Sequence, residues 1–68
     1  MIDEILEKIC SLGNGWTDKN AIVNILRNHG FADEEINKIL NFLIKYFLEI
    51  NESGEKIRPS ESLRKLYE

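Results

Sequence analysis

The spacing of apolar residues in this chain changes character once, and the place of that change limits what the chain can fold into. Up to Phe47 the apolar side chains recur at intervals of three and four residues, the period of amphipathic helices. From Leu48 they alternate, the period of a half-buried strand. A chain patterned this way gathers helices around one apolar centre and then doubles back through a short β-ribbon.

The first helical segment reads from Ile2 to Leu12. Ile2, Ile5, Leu6, Ile9 and Leu12 share one face, and Glu4, Glu7, Lys8 and Ser11 share the other. Gly13-Asn14-Gly15 breaks it. The second helix is expected to begin at Thr17 as N-cap, with Asp18 in its first turn near the positive helix end. Ala21, Ile22, Ile25, Leu26 and His29 line its apolar side, and Gly30 is a natural stop. The third helix follows at once, over Asp33–Tyr46. Phe31 and Ile36 are placed to staple its start, and Ile36, Ile39, Leu40, Leu43 and Phe47 form its buried stripe. After it, Leu48 and Ile50 face one way and Glu49 and Asn51 the other. Glu52-Ser53-Gly54-Glu55 reads as a hairpin turn and Lys56-Ile57-Arg58 as the return strand. Ser60 caps a last short helix carrying Leu63, Leu66 and Tyr67 on one side.

Two helices joined by a tight glycine-containing turn form a helix-turn-helix unit, and a hairpin directly after the second of them forms a wing. On Asn28-His29-Gly30-Phe31-Ala32-Asp33-Glu34-Glu35-Ile36, Leu40, Leu43, Phe47-Leu48-Glu49-Ile50 and Ser53-Gly54-Glu55-Lys56-Ile57-Arg58-Pro59-Ser60-Glu61, the sequence resembles the winged helix-turn-helix superfamily, in the style of small archaeal and bacterial regulators. The resemblance covers nearly the whole chain. It implies one domain over residues 1–68, mainly α with a small β-hairpin, in the order α-α-α-β-β-α. One departure is Tyr46, where many such domains have glycine between the third helix and the hairpin. It implies a longer helix or a looser turn.

At 68 residues the chain has room for one core, and chains this short rarely draw more than about 3–5 kcal/mol from it. One cysteine excludes an internal disulfide, and one Cys with one His does not furnish a zinc framework, so no metal or other cofactor is expected. Met1-Ile2-Asp3-Glu4 carries no signal-peptide pattern and no stretch is apolar enough to span a bilayer, so a cytoplasmic location without membrane association is expected.

Enzyme chemistry finds no support in the residues. Gly13-Asn14-Gly15 lacks the third glycine and the preceding strand of a phosphate loop. Cys10 sits at the flank of an apolar stripe and reads as a small buried residue. His29 has no motif partner and reads as a structural residue near the negative end of its helix. Asp33, Glu34 and Glu35 suit a helix N-terminus. A non-enzymatic binding module with no small-molecule substrate is therefore expected.

Two ligand classes stay open. The resemblance implies a DNA-binding, transcription-regulating protein, in which Asn37, Lys38 and Asn41 on the third helix read base edges while Lys19, Lys45, Lys56 and Arg58 hold phosphates of duplex DNA. The net charge of −3 and the three acids at the start of that helix weigh against it and favour a protein-interaction winged helix, docking through an acidic and apolar face within a larger assembly. Phe42, about 240° from Ile36 around the helix at about 100° per residue, is either covered by a neighbouring helix or exposed as an anchor for a partner. Trp16 is expected to pack on Ala21. Leu63, Leu66 and Tyr67 either close the core or form the seam of a homodimer.

Overall fold

The computed structural model describes residues 2–67. It is a mainly helical α+β arrangement: α1 (Ile2–Ser11), β1 (Thr17–Asp18), α2 (Lys19–Asn28), α3 (Asp33–Tyr46), β2 (Leu48–Ile50), β3 (Lys56–Pro59) and α4 (Glu61–Leu66). Ile5, Leu6 and Ile9 of α1, Ile22 and Leu26 of α2, Ile36, Leu40 and Leu43 of α3, Leu48, Ile57 and Leu63 fill one core. Leu26 and Leu43 are fully enclosed, at 0% exposure. The apolar stripe of α1 is narrower than its periodicity predicts, since Ile2 is 41% and Leu12 46% exposed.

The α2–α3 turn follows from Gly30. Its φ of +94° is a left-handed conformation that glycine adopts without steric cost. The Gly30 N–H donates to Arg27 O at 3.0 Å and the Phe31 N–H to Leu26 O at 3.4 Å, the paired bonds of a Schellman stop. The chain thus leaves α2 with Phe31 turned onto the core. Ala32 then caps α3 without a side-chain acceptor. The compensating half of a capping box is present, with the Ala32 N–H donating to Glu35 Oε1 at 3.1 Å. Arg27 Nε also donates to Asp33 Oδ1 at 3.2 Å, linking the two helices across the turn.

The sheet corrects the expected order. It has three antiparallel strands arranged β1-β3-β2, so the sequence of elements is α-β-α-α-β-β-α and not α-α-α-β-β-α. Thr17, expected as the N-cap of α2, instead pairs with Ile57, and Asp18 pairs with Lys56. The helix starts two residues later than its N-cap was expected, at Lys19. Asp18 occupies the cap position but makes no side-chain cap bond. Its carboxylate is taken by Lys56 Nζ at 2.6 Å, and the Lys19 N–H is satisfied by Glu55 O at 3.1 Å. A β-branched Thr suits a strand as readily as a cap, and the return strand supplies the partner that decides between them.

In the β2–β3 register Leu48 faces Pro59, Glu49 faces Arg58 and Ile50 faces Ile57. Leu48, Ile57 and Pro59 point to the core, and the charged residues point away from it. Asn51 organises the connecting turn: its Oδ1 accepts from Ser53 Oγ at 3.1 Å and from the backbone N–H groups of Glu55 at 3.2 Å and Lys56 at 3.1 Å. Gly54 completes the turn at φ +78°. No glycine is needed between α3 and β2. Phe47 ends the helix at φ −129° with its N–H on Leu43 O at 2.7 Å, so Tyr46 keeps an ordinary helical place. Beyond β3 the Ser60 N–H donates to Phe47 O at 2.9 Å, and Ser60 Oγ accepts from the Leu63 N–H at 3.2 Å, starting α4 as expected.

Candidate docking groove and the charged faces beside it

The third helix is long enough to present more than a core stripe. Its outward side carries Asn37, Lys38, Asn41 and Lys45, all exposed. The side turned toward α1 carries Ile39 and Phe42. Together with Ile2 and Ile5 of α1, Phe31 from the turn, and Lys38 at the edge, these form a groove of about 410 Å³. Phe42 is 47% exposed, so neither α1 nor α4 covers it. Its ring lies 5.0 Å from that of Tyr46 and 6.0 Å from that of Phe47, in tilted arrangements that hold it in place. Tyr46 is itself 58% exposed and carries the aromatic surface one further turn along α3. Lys45 Nζ sits 5.3 Å from the Tyr46 ring centroid. Neither Lys38 nor Lys45 has a carboxylate within 4.0 Å among the described residues.

The remaining cations expected to hold phosphates lie in different company. Lys56 is bound to Asp18, and Arg58 Nε donates to Glu49 Oε1 at 2.6 Å, directly across the β2–β3 register. The Arg58 guanidinium also lies 4.4 Å from the Trp16 ring centroid. Trp16 therefore stacks under Arg58, a partner that the sequence did not suggest. The reason lies in the missed strand: continuing the Thr17–Ile57 register by one residue sets Trp16 opposite Arg58. Lys19 is half-buried at the start of α2 and borders a polar cleft with Asp18, Asn20, Gly54 and Glu55, two of them acids. Lys56 and Arg58 thus stand apart from the α3 lysines, each paired with a carboxylate, whereas Lys19 only borders the cleft and has no carboxylate within 4.0 Å among the described residues.

The C-terminal trio separates. Leu63 is 1% exposed and belongs to the core, so no second subunit can use it. Leu66 is 73% and Tyr67 37% exposed, and the Tyr67 hydroxyl donates to Asp3 O at 3.4 Å. His29 is fastened as a structural residue. Its Nδ1 donates to Ile25 O, which only accepts, at 3.0 Å, and Nε2 faces Glu4 at 3.9 Å. Burial pushes the Cys10 thiol above its usual pKa, so no activated thiolate is indicated there.

The groove was partly legible beforehand. Phe42 stood off the buried stripe, but Ile2 and Phe31 looked like core residues, and their meeting at one surface is a product of how α1 crosses α3. Among the described residues no cluster of His, Cys, Asp and Glu is suited to a metal ion, and no helix is long and apolar enough to cross a membrane. Comparison with known protein families, with curated proteins and with solved structures finds no match for this chain.

Proposed function

We propose that this chain is a non-enzymatic, winged-helix binding module that docks a protein through the α1–α3 groove. The winged-helix reading draws on the position of the hairpin directly after α3 and on β1, which ties the segment before α2 into the same sheet. The observation that carries the docking reading is the contrast in how the two candidate surfaces are used. The groove presents Phe42 and Ile2 to solvent, with Tyr46 one turn along α3, beside lysines that have no carboxylate partner among the described residues, whereas Lys56 and Arg58 of the hairpin are held by carboxylates of the same chain. Contiguous apolar surface with an aromatic at its centre is what protein partners bury. Phosphate binding, by contrast, draws its free energy from cations that release counterions. The groove lining, apolar apart from one lysine, has the residues of a binding site and not of a general acid–base pair.

A second reading, a DNA-binding regulator, is favoured by one observation. Asn37, Lys38, Asn41 and Lys45 are exposed along the helix that enters the major groove in helix-turn-helix proteins, and these residue types hydrogen-bond base edges.

Selecting a displayed library of helical peptides against the whole chain, in parallel with a salt titration on random duplex DNA, separates the two. Docking predicts binders that are lost with Phe42→Ala, together with weak DNA affinity that Lys56→Ala and Arg58→Ala leave unchanged. Duplex binding with a steep salt slope, and no binder that depends on Phe42, would replace the docking reading with the DNA one.

A further inference from the structure

The unpaired charge at the groove identifies the kind of partner it fits. We infer that the occupant is an amphipathic helix whose apolar ridge is flanked by acidic residues, an inference that rests on the docking reading above.

The groove runs between two helices. Its apolar floor, Ile5 and Ile39, is framed by Ile2, Phe31 and Phe42. Phe42 and Tyr46 stand one turn apart on α3, about 6 Å along its axis, the repeat at which a helical ligand offers side chains at i and i+4. Lys38 lines the groove and Lys45 stands one turn beyond it toward Tyr46. Of the other lysines and arginines, Arg27 is matched with Asp33, Lys56 with Asp18, Arg58 with Glu49 and Lys65 with Glu61, while Lys8, Lys19 and Arg64 have no carboxylate within 4.0 Å among the described residues but do not line the groove. In a chain of net charge −3, two lysines with no carboxylate within 4.0 Å among the described residues, both beside exposed aromatic surface, leave a local positive edge for a ligand to neutralise.

The same charges disfavour a second copy of the chain as occupant. Two α3 helices related by a two-fold axis through Phe42 would bring Lys38 of each toward Lys45 of the other, a like-charge contact that costs binding free energy. A helix with Glu or Asp beside its apolar ridge turns that cost into attraction and gains from it chiefly in selectivity and association rate.

The test uses two synthetic helical peptides of identical apolar ridge, one with Glu and one with Lys at the flanking positions, titrated into the isotopically labelled full chain. The Glu peptide is expected to shift the signals of Ile2, Ile39 and Phe42 and to bind at least ~10-fold more tightly than the Lys peptide. Phe42→Ala is expected to weaken it by a similar factor, and the double substitution Lys38→Glu with Lys45→Glu to reverse the preference while the chain's melting curve stays in place. Equal binding of both peptides at the groove would overturn the acidic partner and leave the docking reading standing. Concentration-dependent self-association that broadens the same signals would overturn it in favour of a second copy. Failure of either peptide to move groove signals, together with no Phe42-dependent binder from the library, would remove both readings at once.

Discussion

The outer face of the sheet and the α1–α3 groove use the same residue types to opposite ends. On the sheet, Arg58 meets Glu49 across the ladder and stacks on Trp16, and Lys56 meets Asp18. Every one of these contacts joins β1, β2 or β3 to a neighbouring strand or its flank, so the charges serve to fix register. On α3, Lys38 and Lys45 sit beside Phe42 and Tyr46 with no such partners. A surface whose charges are matched internally has little left to offer a ligand. One that leaves aromatic rings exposed beside lysines without a carboxylate partner among the described residues has groups to spare for the proposed ligand.

The strongest way to break this contrast is to compare two neighbouring residues of α3. Leu43→Ala removes a side chain at 0% exposure and is expected to cost about 2–5 kcal/mol, enough to unfold much of a domain this small. Phe42→Ala is expected to cost less than about 1 kcal/mol in stability, because nearly half of the ring is already in solvent. Urea titrations followed by circular dichroism measure both, and equal losses would mean that Phe42 belongs to the core and not to a binding surface. Next in size is docking itself, where Phe42→Ala is expected to weaken a helical ligand by at least ~10-fold, about 1.4 kcal/mol, and Arg58→Ala to leave it unchanged. Titration calorimetry with a selected peptide gives both numbers. Ser60→Ala, which deletes the acceptor for the Leu63 N–H, is expected to lower stability by about 1 kcal/mol through α4. The smallest effect sharpens the sheet side: a double-mutant cycle on Glu49 and Arg58 is expected to give a coupling of about 0.2–1 kcal/mol. Arg58→Ala should also alter the emission of Trp16, the chain's one tryptophan; an unchanged spectrum would contradict the stacking.

What was legible in the sequence is what local physics decides. The three main helices, the Gly30 stop, the turn at Gly54 and the Ser60 cap follow from periodicity and from residues with special backbone freedom or acceptor groups, all within a few positions of one another. Apart from Asn51, whose bonds are local, the departures depend on residues far apart in the chain. Thr17 and Asp18 become a strand only because Ile57 and Lys56 return beside them. Trp16 finds Arg58 for the same reason, and Lys56 and Arg58, expected to hold phosphates, each prove to be paired with a carboxylate of the chain. Asn51, which read only as an outward strand residue, proves to be the acceptor that organises the hairpin turn. The groove is likewise non-local. Helical periodicity assigns Ile2 to a buried face but does not report that α3 leaves that end of α1 open.

The strand arrangement also limits how this protein can meet another. β3 is the central strand, and the two outer strands are two and three residues long. Margins this short offer few free backbone amides and carbonyls to template an incoming β-strand, which disfavours association by sheet extension. Under the proposed docking, recognition would rest on side chains of the helices, set by shape and charge, where single substitutions would retune it without disturbing the ribbon.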